Sequence, residues 1–124
     1  MKKKKSVLIV EDDDLYRDFL VKFFTKKSFD VTAVPNGLDA FNETEKKEFT
    51  LVLTDIKMPK MDGIELLKKL RDKNKTSNVI VITAHGEMDS YLKAIDWGAF
   101  DYLHKPVDIK ELTAIVDKIL GHRK

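Results

Sequence analysis

Short runs of apolar and β-branched residues alternate with amphipathic segments along the whole chain. Five such runs predict β-strands, at 6–10, 31–34, 51–54, 79–83 and 101–104. The fourth, VIVIT, is so uniformly β-branched that it indicates a strand buried on both faces. Strands that alternate with helices in this way are typical of an α/β domain with a parallel sheet and helices on both of its faces.

Each predicted strand is followed by apolar residues at helical spacing. The apolar faces comprise Leu15, Phe19, Leu20, Phe23 and Phe24 in the first helix, residues 38–47 in the second, Ile64, Leu66, Leu67 and Leu70 in the third, Met88, Tyr91, Leu92 and Ile95 in the fourth, and Leu112, Ile115, Val116 and Ile119 in the fifth. We expect Asp13 or Asp14 to cap the first helix, Asn36 the second, and Asp108 with Glu111 to form a capping box on the fifth.

The composition favours one globular domain over residues 1–124, with residues 1–5 as a solvated basic tail. Apolar residues make up 43% of the 124 residues, and no apolar run is long enough to cross a bilayer. The absence of cysteine excludes disulfides and thiolate metal sites, and it favours a cytoplasmic location. The net charge of +2 comes largely from the two ends, so we expect no nucleic-acid-binding face and no membrane contact.

Polar side chains stand where the predicted strands end. Glu11 and Asp12 follow the first strand, Asp55 follows the third, Thr83 ends the fourth, and Lys105 follows the fifth. In an open parallel sheet, ligands bind beyond the carboxyl ends of the strands. We therefore expect these residues, although scattered over most of the chain, to meet at one edge of the sheet.

Such a cluster of acids needs a cation. Carboxylates about 5 Å apart repel by roughly 3 kcal/mol per pair at an effective dielectric constant near 20. With oxygen ligands alone, Mg²⁺ is the best candidate, and Mn²⁺ is the alternative ion. Together with the Lys105 ammonium and the Thr83 hydroxyl, the set has the parts for moving a phosphoryl group onto Asp55.

Four motifs in order, VLIVEDD, TDIKMPKMDG, VIVITA and YLHKPVD, resemble the receiver domains of two-component response regulators over the whole chain. The resemblance is to the stand-alone receivers of chemotaxis and sporulation relays. It implies a single flavodoxin-like (βα)5 doubly wound sheet with strand order 2-1-3-4-5. It also implies a cis peptide bond between Lys105 and Pro106.

The resemblance further implies that Asp55 receives phosphate from a phosphohistidine on a sensor histidine kinase or a histidine phosphotransfer protein. Asp12, Asp55 and the main-chain carbonyl of Lys57 would bind Mg²⁺, and Glu11 would assist through water. The chain would act as a phosphoacceptor rather than as an enzyme, and it would be a monomer or a weak dimer that forms on phosphorylation.

Further roles come from the same resemblance. Thr83 and Lys105 would contact the phosphoryl oxygens, and Tyr102 would be the aromatic switch that turns inward as Thr83 moves. Lys57 and His85 would tune the hydrolysis of the acyl phosphate. The face formed by the fourth helix, fifth strand and fifth helix would be read by a downstream effector. His104 is interpreted as strand surface.

Two other functions are compatible with an aspartate at a strand end. A Mg²⁺-dependent phosphatase of the haloacid-dehalogenase type needs a second acid two residues after its nucleophile, and Lys57 occupies that position. A degenerate receiver, which keeps the fold without phosphorylation, would be expected to lack Asp55, Asp12 or Lys105. The sequence leaves open a stand-alone receiver, a relay intermediate or a segment of a longer regulator.

Overall fold

Five strands and five helices alternate in the computed structural model, which describes residues 5–73, 75, 77–84 and 88–121, the side chain of Met88 excepted. The predicted tail at residues 1–5 lies outside this description except for Lys5. The elements are β1 (Ser6–Val10), α1 (Asp14–Lys26), β2 (Asp30–Val34), α2 (Gly37–Lys46), β3 (Leu51–Asp55), α3 (Gly63–Asp72), β4 (Asn78–Thr83), α4 (Met88–Asp96), β5 (Asp101–His104) and α5 (Ile109–Leu120).

The strands form one parallel sheet in the order β2-β1-β3-β4-β5. This confirms the predicted α/β fold and strand order. All five residues of β3 are buried, because β3 lies at the centre of the sheet and helices cover both faces. Asp55 is the last residue of β3 and pairs with Ile82 of β4, so its side chain is delivered at the carboxyl edge of the sheet.

Two apolar cores lie on opposite faces of the sheet. Along β3, Val52 faces the core beneath α2 and α3, whereas Leu51 and Leu53 face the core beneath α1 and α5. The alternation follows from the two-residue period of a strand. Side chains from both faces of β3 are thereby packed, and the position of Asp55 depends on both cores.

Two predicted apolar faces are wider than the faces the structure buries. Leu20 and Phe24 bury the inner side of α1, but Leu15 is 85% exposed and Phe19 is also exposed. Leu92, at 53% exposure, and Ile95 likewise lie on the outside of α4. Helical spacing gives the width of an apolar stripe but not how the helix is rotated against the sheet, so the exposure of these side chains was not predicted.

The caps predicted for α1 and α2 are present, and of the capping box predicted for α5 the structure shows the cap formed by Asp108. Asp13 caps α1 by accepting from the Tyr16 amide, and Asn36 caps α2 by accepting from the Asp39 amide. The full reciprocal capping box is formed on α3 by Asp62 and Glu65. On α5, the Asp108 side chain accepts from the amides of residues 110 and 111, as a cap.

The Arg71 guanidinium joins the ends of three elements at the amino edge of β4. Its Nη1 donates to the carbonyls of Lys75 and Ser77 at 3.0 and 3.3 Å. Its Nε and Nη2 donate to the carbonyls of Trp97 and Gly98 at 3.3 and 2.8 Å. The chain after α4 is therefore tied to the end of α3 and to the segment that enters β4.

In the parts of the chain described, no helix is both long enough and apolar enough to span a membrane.

Candidate functional site

Three acids meet at the carboxyl edge of the central strands. Glu11 and Asp12 follow β1, Asp55 ends β3, and one carboxylate oxygen of each lies within 4.8 Å of the others. Asp55 is 6% exposed and Glu11 is fully buried, whereas Asp12 faces solvent. The sequence predicted this convergence, and the sheet order explains it, because β1 and β3 are neighbours.

Lys105 extends from the end of β5 into the acid cluster. Its Nζ lies 3.0 Å from Asp55 Oδ2 and 3.1 Å from Glu11 Oε1. The contact with Asp55 is a hydrogen bond, but the approach to Glu11 Oε1 is an ion pair without hydrogen-bond geometry. The other oxygen, Glu11 Oε2, accepts from the Asp13 amide at 3.0 Å. Among the described residues, Glu11 Oε1 is therefore a buried acceptor without a hydrogen-bond donor.

Electrostatics at the cluster oppose full ionisation. Burial, reinforced by the neighbouring Glu11 carboxyl, raises the pKa of Asp55 to about 8, although Lys105 acts in the opposite direction. Burial lowers the pKa of Lys105, but its contacts with Asp55 and Glu11 outweigh burial and leave that pKa raised. The Lys105 ammonium therefore contacts two of the three clustered carboxyl groups, and the site attracts further positive charge.

The donor set fits a hard divalent cation. It consists of carboxylate oxygens from Glu11, Asp12 and Asp55, and one of these oxygens is buried and has no donor in the part of the chain that is described. Mg²⁺ binds through one or two carboxylates while keeping several waters, which suits a cluster with one solvent-facing member. The Asp/Glu group could therefore hold a metal ion.

Close backbone contacts shape the loop between β3 and α3. The Gly63 amide donates to the Ile56 carbonyl at 2.7 Å, and a Cβ on Gly63 would stand 2.2 Å from the Asp55 carbonyl oxygen. Lys60 and Met61 adopt positive φ angles of 52° and 83°. The loop therefore folds back against Asp55, and it carries the exposed Lys57 two residues beyond that acid. The predicted role of the Lys57 carbonyl stays a prediction.

Thr83 is 1% exposed, and its hydroxyl contacts β5. Oγ1 lies 2.9 Å from His104 Nδ1 and 3.4 Å from the Leu103 carbonyl oxygen. His104 is exposed at the end of β5, which agrees with its interpretation as strand surface, and its ring also contacts the buried Thr83 hydroxyl. His85, predicted to tune hydrolysis, lies outside the described residues.

Tyr102, the predicted switch residue, is half-buried on β5. Its ring centroid lies 4.1 Å from that of Tyr91 on α4 and 5.4 Å from that of His104. The peptide bond between Lys105 and Pro106 is cis, which confirms that prediction.

Tyr16 on α1 is a site residue that the sequence did not indicate. Its hydroxyl accepts from the Val107 amide at 2.7 Å, and Lys105 Nζ lies 4.8 Å from the centroid of its ring. Tyr16 is 91 positions from Val107 in the chain, and no sequence pattern links the two residues.

Sequence comparisons match most of this chain to known proteins. The family model "response regulator receiver domain" matches residues 7–117. Sporulation initiation phosphotransferase F of Bacillus subtilis is 37% identical over 116 residues, which cover 94% of each chain. The DNA-binding transcriptional regulator NtrC of Klebsiella pneumoniae is 38% identical over 92% of this chain, but the match spans only 24% of that protein. This chain thus covers about a quarter of the length of the NtrC regulators that it matches.

Solved structures agree with these sequence matches. The receiver domain of Francisella response regulator 1452 has a TM-score of 0.87 and 30% identity, covering 95% of this chain and 98% of that one. A CheY-like receiver domain from Methanospirillum hungatei has a TM-score of 0.90 and 27% identity, covering 96% and 95% of the two chains. The strand order, the acid cluster and these matches together place the chain in the receiver domain family of two-component response regulators.

Proposed function

We propose that this chain accepts a phosphoryl group on Asp55 from the phosphohistidine of a sensor histidine kinase or a histidine phosphotransfer protein. The observation that carries the proposal is the position of Asp55, a buried strand-end carboxylate 3.0 Å from Lys105 Nζ and grouped with two more acids. A lysine and a divalent-ion site beside one carboxylate are the parts that phosphoryl transfer to an aspartate requires.

A bound Mg²⁺ would neutralise negative charge on the phosphoryl oxygens during transfer. Asp12, Asp55 and the carbonyl of Lys57 would hold the ion directly, and Glu11 would hold it through water. Mn²⁺ offers the same charge and accepts the same oxygen ligands, so it is the alternative.

In the transfer step, an oxygen of the ionised Asp55 carboxylate bonds to phosphorus as the bond from phosphorus to the donor histidine nitrogen breaks. The electron pair of that bond returns to the imidazole. The Lys105 ammonium, which pairs with Asp55 before transfer, would then pair with a phosphoryl oxygen. The Thr83 hydroxyl would donate a hydrogen bond to another phosphoryl oxygen. The product is an acyl phosphate on Asp55.

The acyl phosphate then shifts a two-state equilibrium that a downstream effector reads. Movement of Thr83 lets Tyr102 turn inward and changes the surface formed by α4, β5 and α5, which includes Tyr91 and Lys110. Lys57 and His85 set the rate at which water removes the phosphate. On this proposal residues 1–124 form one cytoplasmic receiver, a monomer or a weak phosphorylation-dependent dimer, which assists only its own phosphorylation and dephosphorylation.

Labelling with acetyl phosphate and Mg²⁺ tests the proposal. We expect intact-protein mass spectrometry to show the gain of one phosphoryl group in the wild type. Asp55→Asn should abolish the gain, Lys105→Met should reduce it strongly, and removal of Mg²⁺ should prevent it. Asp18→Asn, at an exposed acid of α1, is the matched control and should label as the wild type does. Equal labelling of Asp55→Asn would refute the assignment.

The phosphatase alternative makes a different prediction for the same protein. It requires continuous release of phosphate from a small phosphomonoester such as p-nitrophenyl phosphate. We expect no such turnover, because Lys57 stands where that mechanism needs a second acid. Many turnovers per chain would favour the phosphatase.

A further inference from the structure

Thr83 and His104 are direct neighbours across two parallel strands. They are paired in the register of β4 and β5, so their side chains leave the sheet on the same face. Thr83 Oγ1 lies 2.9 Å from His104 Nδ1, and the Lys105 amide donates to the Thr83 carbonyl at 3.0 Å. The end of β4 is therefore held to β5 through both backbone and side chain.

A count of donors shows why this contact matters for phosphorylation. A threonine hydroxyl has one hydrogen to donate. If His104 Nδ1 is the acceptor, it receives that hydrogen, and if Nδ1 is protonated, the hydroxyl directs its hydrogen to the Leu103 carbonyl at 3.4 Å. When Nδ1 is the acceptor, His104 receives the only hydrogen of the hydroxyl. In that tautomer, Thr83 can donate to a phosphoryl oxygen on Asp55 only after the contact with His104 breaks.

The same imidazole also contacts the aromatic residues next to it. The His104 ring meets the Tyr102 ring edge to face, with centroids 5.4 Å apart and planes at 83°. Tyr102 in turn contacts Tyr91 of α4 at a centroid distance of 4.1 Å. His104 therefore lies between the hydroxyl of Thr83 and the aromatic pair that joins β5 to α4.

We propose that His104 is a positioning residue that retains the Thr83 hydroxyl on β5 while Asp55 is unphosphorylated, and so slows phosphorylation. This inference rests on the function proposed above. Loss of the retaining contact should speed labelling of Asp55 by about two- to tenfold, the effect expected of one net hydrogen bond.

The contact itself can be tested without any phosphodonor. We expect the ¹⁵N resonances of the His104 ring to move when Thr83→Val removes the hydroxyl while keeping the shape of the side chain. Thr83→Ser keeps a hydroxyl and should leave the resonances close to those of the wild type. Resonances that are the same in Thr83→Val and in the wild type would overturn the proposal.

Labelling rates with acetyl phosphate and Mg²⁺ test the consequence. His104→Phe keeps a ring beside Tyr102 but has no Nδ1, and it should label about two- to tenfold faster. His104→Asn places an acceptor oxygen at the δ1 position without the ring, and it should label at close to the wild-type rate. In a Thr83→Val background, His104→Phe should change nothing, because there is no hydroxyl left to retain.

Two results overturn the proposal: a His104→Phe rate equal to that of the wild type, or an acceleration that persists in the Thr83→Val background. A merely structural role of His104 would give the second result. A wild-type chain that takes up no phosphoryl group would instead refute the proposed function, and with it the effect on rate. The NMR comparison would still decide whether His104 holds Thr83.

Discussion

The hydroxyl of Tyr16 accepts a hydrogen bond from the Val107 amide at 2.7 Å, so α1 is joined to the segment that follows Lys105. The Tyr16 ring also lies 4.8 Å below the Lys105 ammonium. A tyrosine on one helix thus supports, at two points, the lysine that faces Asp55. Burial is the main reason that the pKa of this phenol is raised, which keeps the hydroxyl neutral.

Tyr16→Phe should slow labelling of Asp55 by acetyl phosphate, because the Val107 amide loses its acceptor while the ring stays beneath Lys105. We expect a reduction of about fivefold, the equivalent of roughly 1 kcal/mol. Tyr16→Leu also removes the cation–π contact and should reduce the rate further. Leu15→Ala, at an exposed neighbour on the same helix, is the control and should leave the rate unchanged. Equal rates for Tyr16→Phe and the wild type would show that Tyr16 does not position Lys105.

Mg²⁺ affinity should rise with pH, because Asp55 must be ionised to bind the ion and its pKa in the metal-free protein is about 8. Below that pH, each Mg²⁺ bound should release about one proton, and the affinity should rise about tenfold per pH unit before levelling off. Calorimetric titrations in buffers of different ionisation enthalpy measure both quantities. Asp12→Asn should weaken Mg²⁺ binding but leave the change in affinity per pH unit as in the wild type. A Mg²⁺ affinity independent of pH would contradict the prediction.

Stability should depend on pH through the same carboxyl group. Its pKa is raised from 3.8 to about 8, so between these values the folded protein holds a proton at Asp55 that the unfolded chain has lost. The free energy of unfolding should therefore fall as the pH rises across this window, by at most about 1.4 kcal/mol per unit. Urea denaturation of Asp55→Asn should show a shallower fall and a higher stability at neutral pH. A variant with the same slope as the wild type would assign the effect to other groups.

Gly63→Ala should destabilise the fold, because a Cβ there would stand 2.2 Å from the Asp55 carbonyl oxygen and 3.0 Å from Ile56 Cα. Both are backbone atoms, so relief requires the loop to move, at a cost of about 2–3 kcal/mol. Gly121→Ala is the matched control: its φ is +79°, but no atom of the described residues would lie within 4 Å of the new Cβ, and we expect a cost of about 1 kcal/mol. Urea denaturation of both variants measures the difference, and equal costs would contradict the steric argument.

The fold and the acid cluster could be predicted because each depends on short-range signals. The uniform apolar runs indicated buried parallel strands, and Asp55 stood directly after one of them. Since all strand ends of a parallel sheet meet at one edge, position along the chain was enough to bring Asp55, Glu11 and Asp12 together. The roles of these residues in phosphoryl transfer stay predictions until labelling is measured.

Other features depend on register and on helix rotation, which the sequence does not specify. The contact between Thr83 and His104 exists because those two residues, and no others, are paired at the end of β4 and β5. The exposure of Leu15 and Leu92 depends on how α1 and α4 lie against the sheet. Packing of the whole domain decides such details, so the sequence did not predict them.

Arg71 fastens the carboxyl end of α4 at the edge of the sheet farthest from Asp55. Tyr91, nearer to the amino end of that helix, touches Tyr102. Because its carboxyl end is held by Arg71, α4 can rotate about that end but cannot shift along its axis. A displacement that starts at Thr83 should therefore be largest at the first turn of α4, which lies farthest from Arg71.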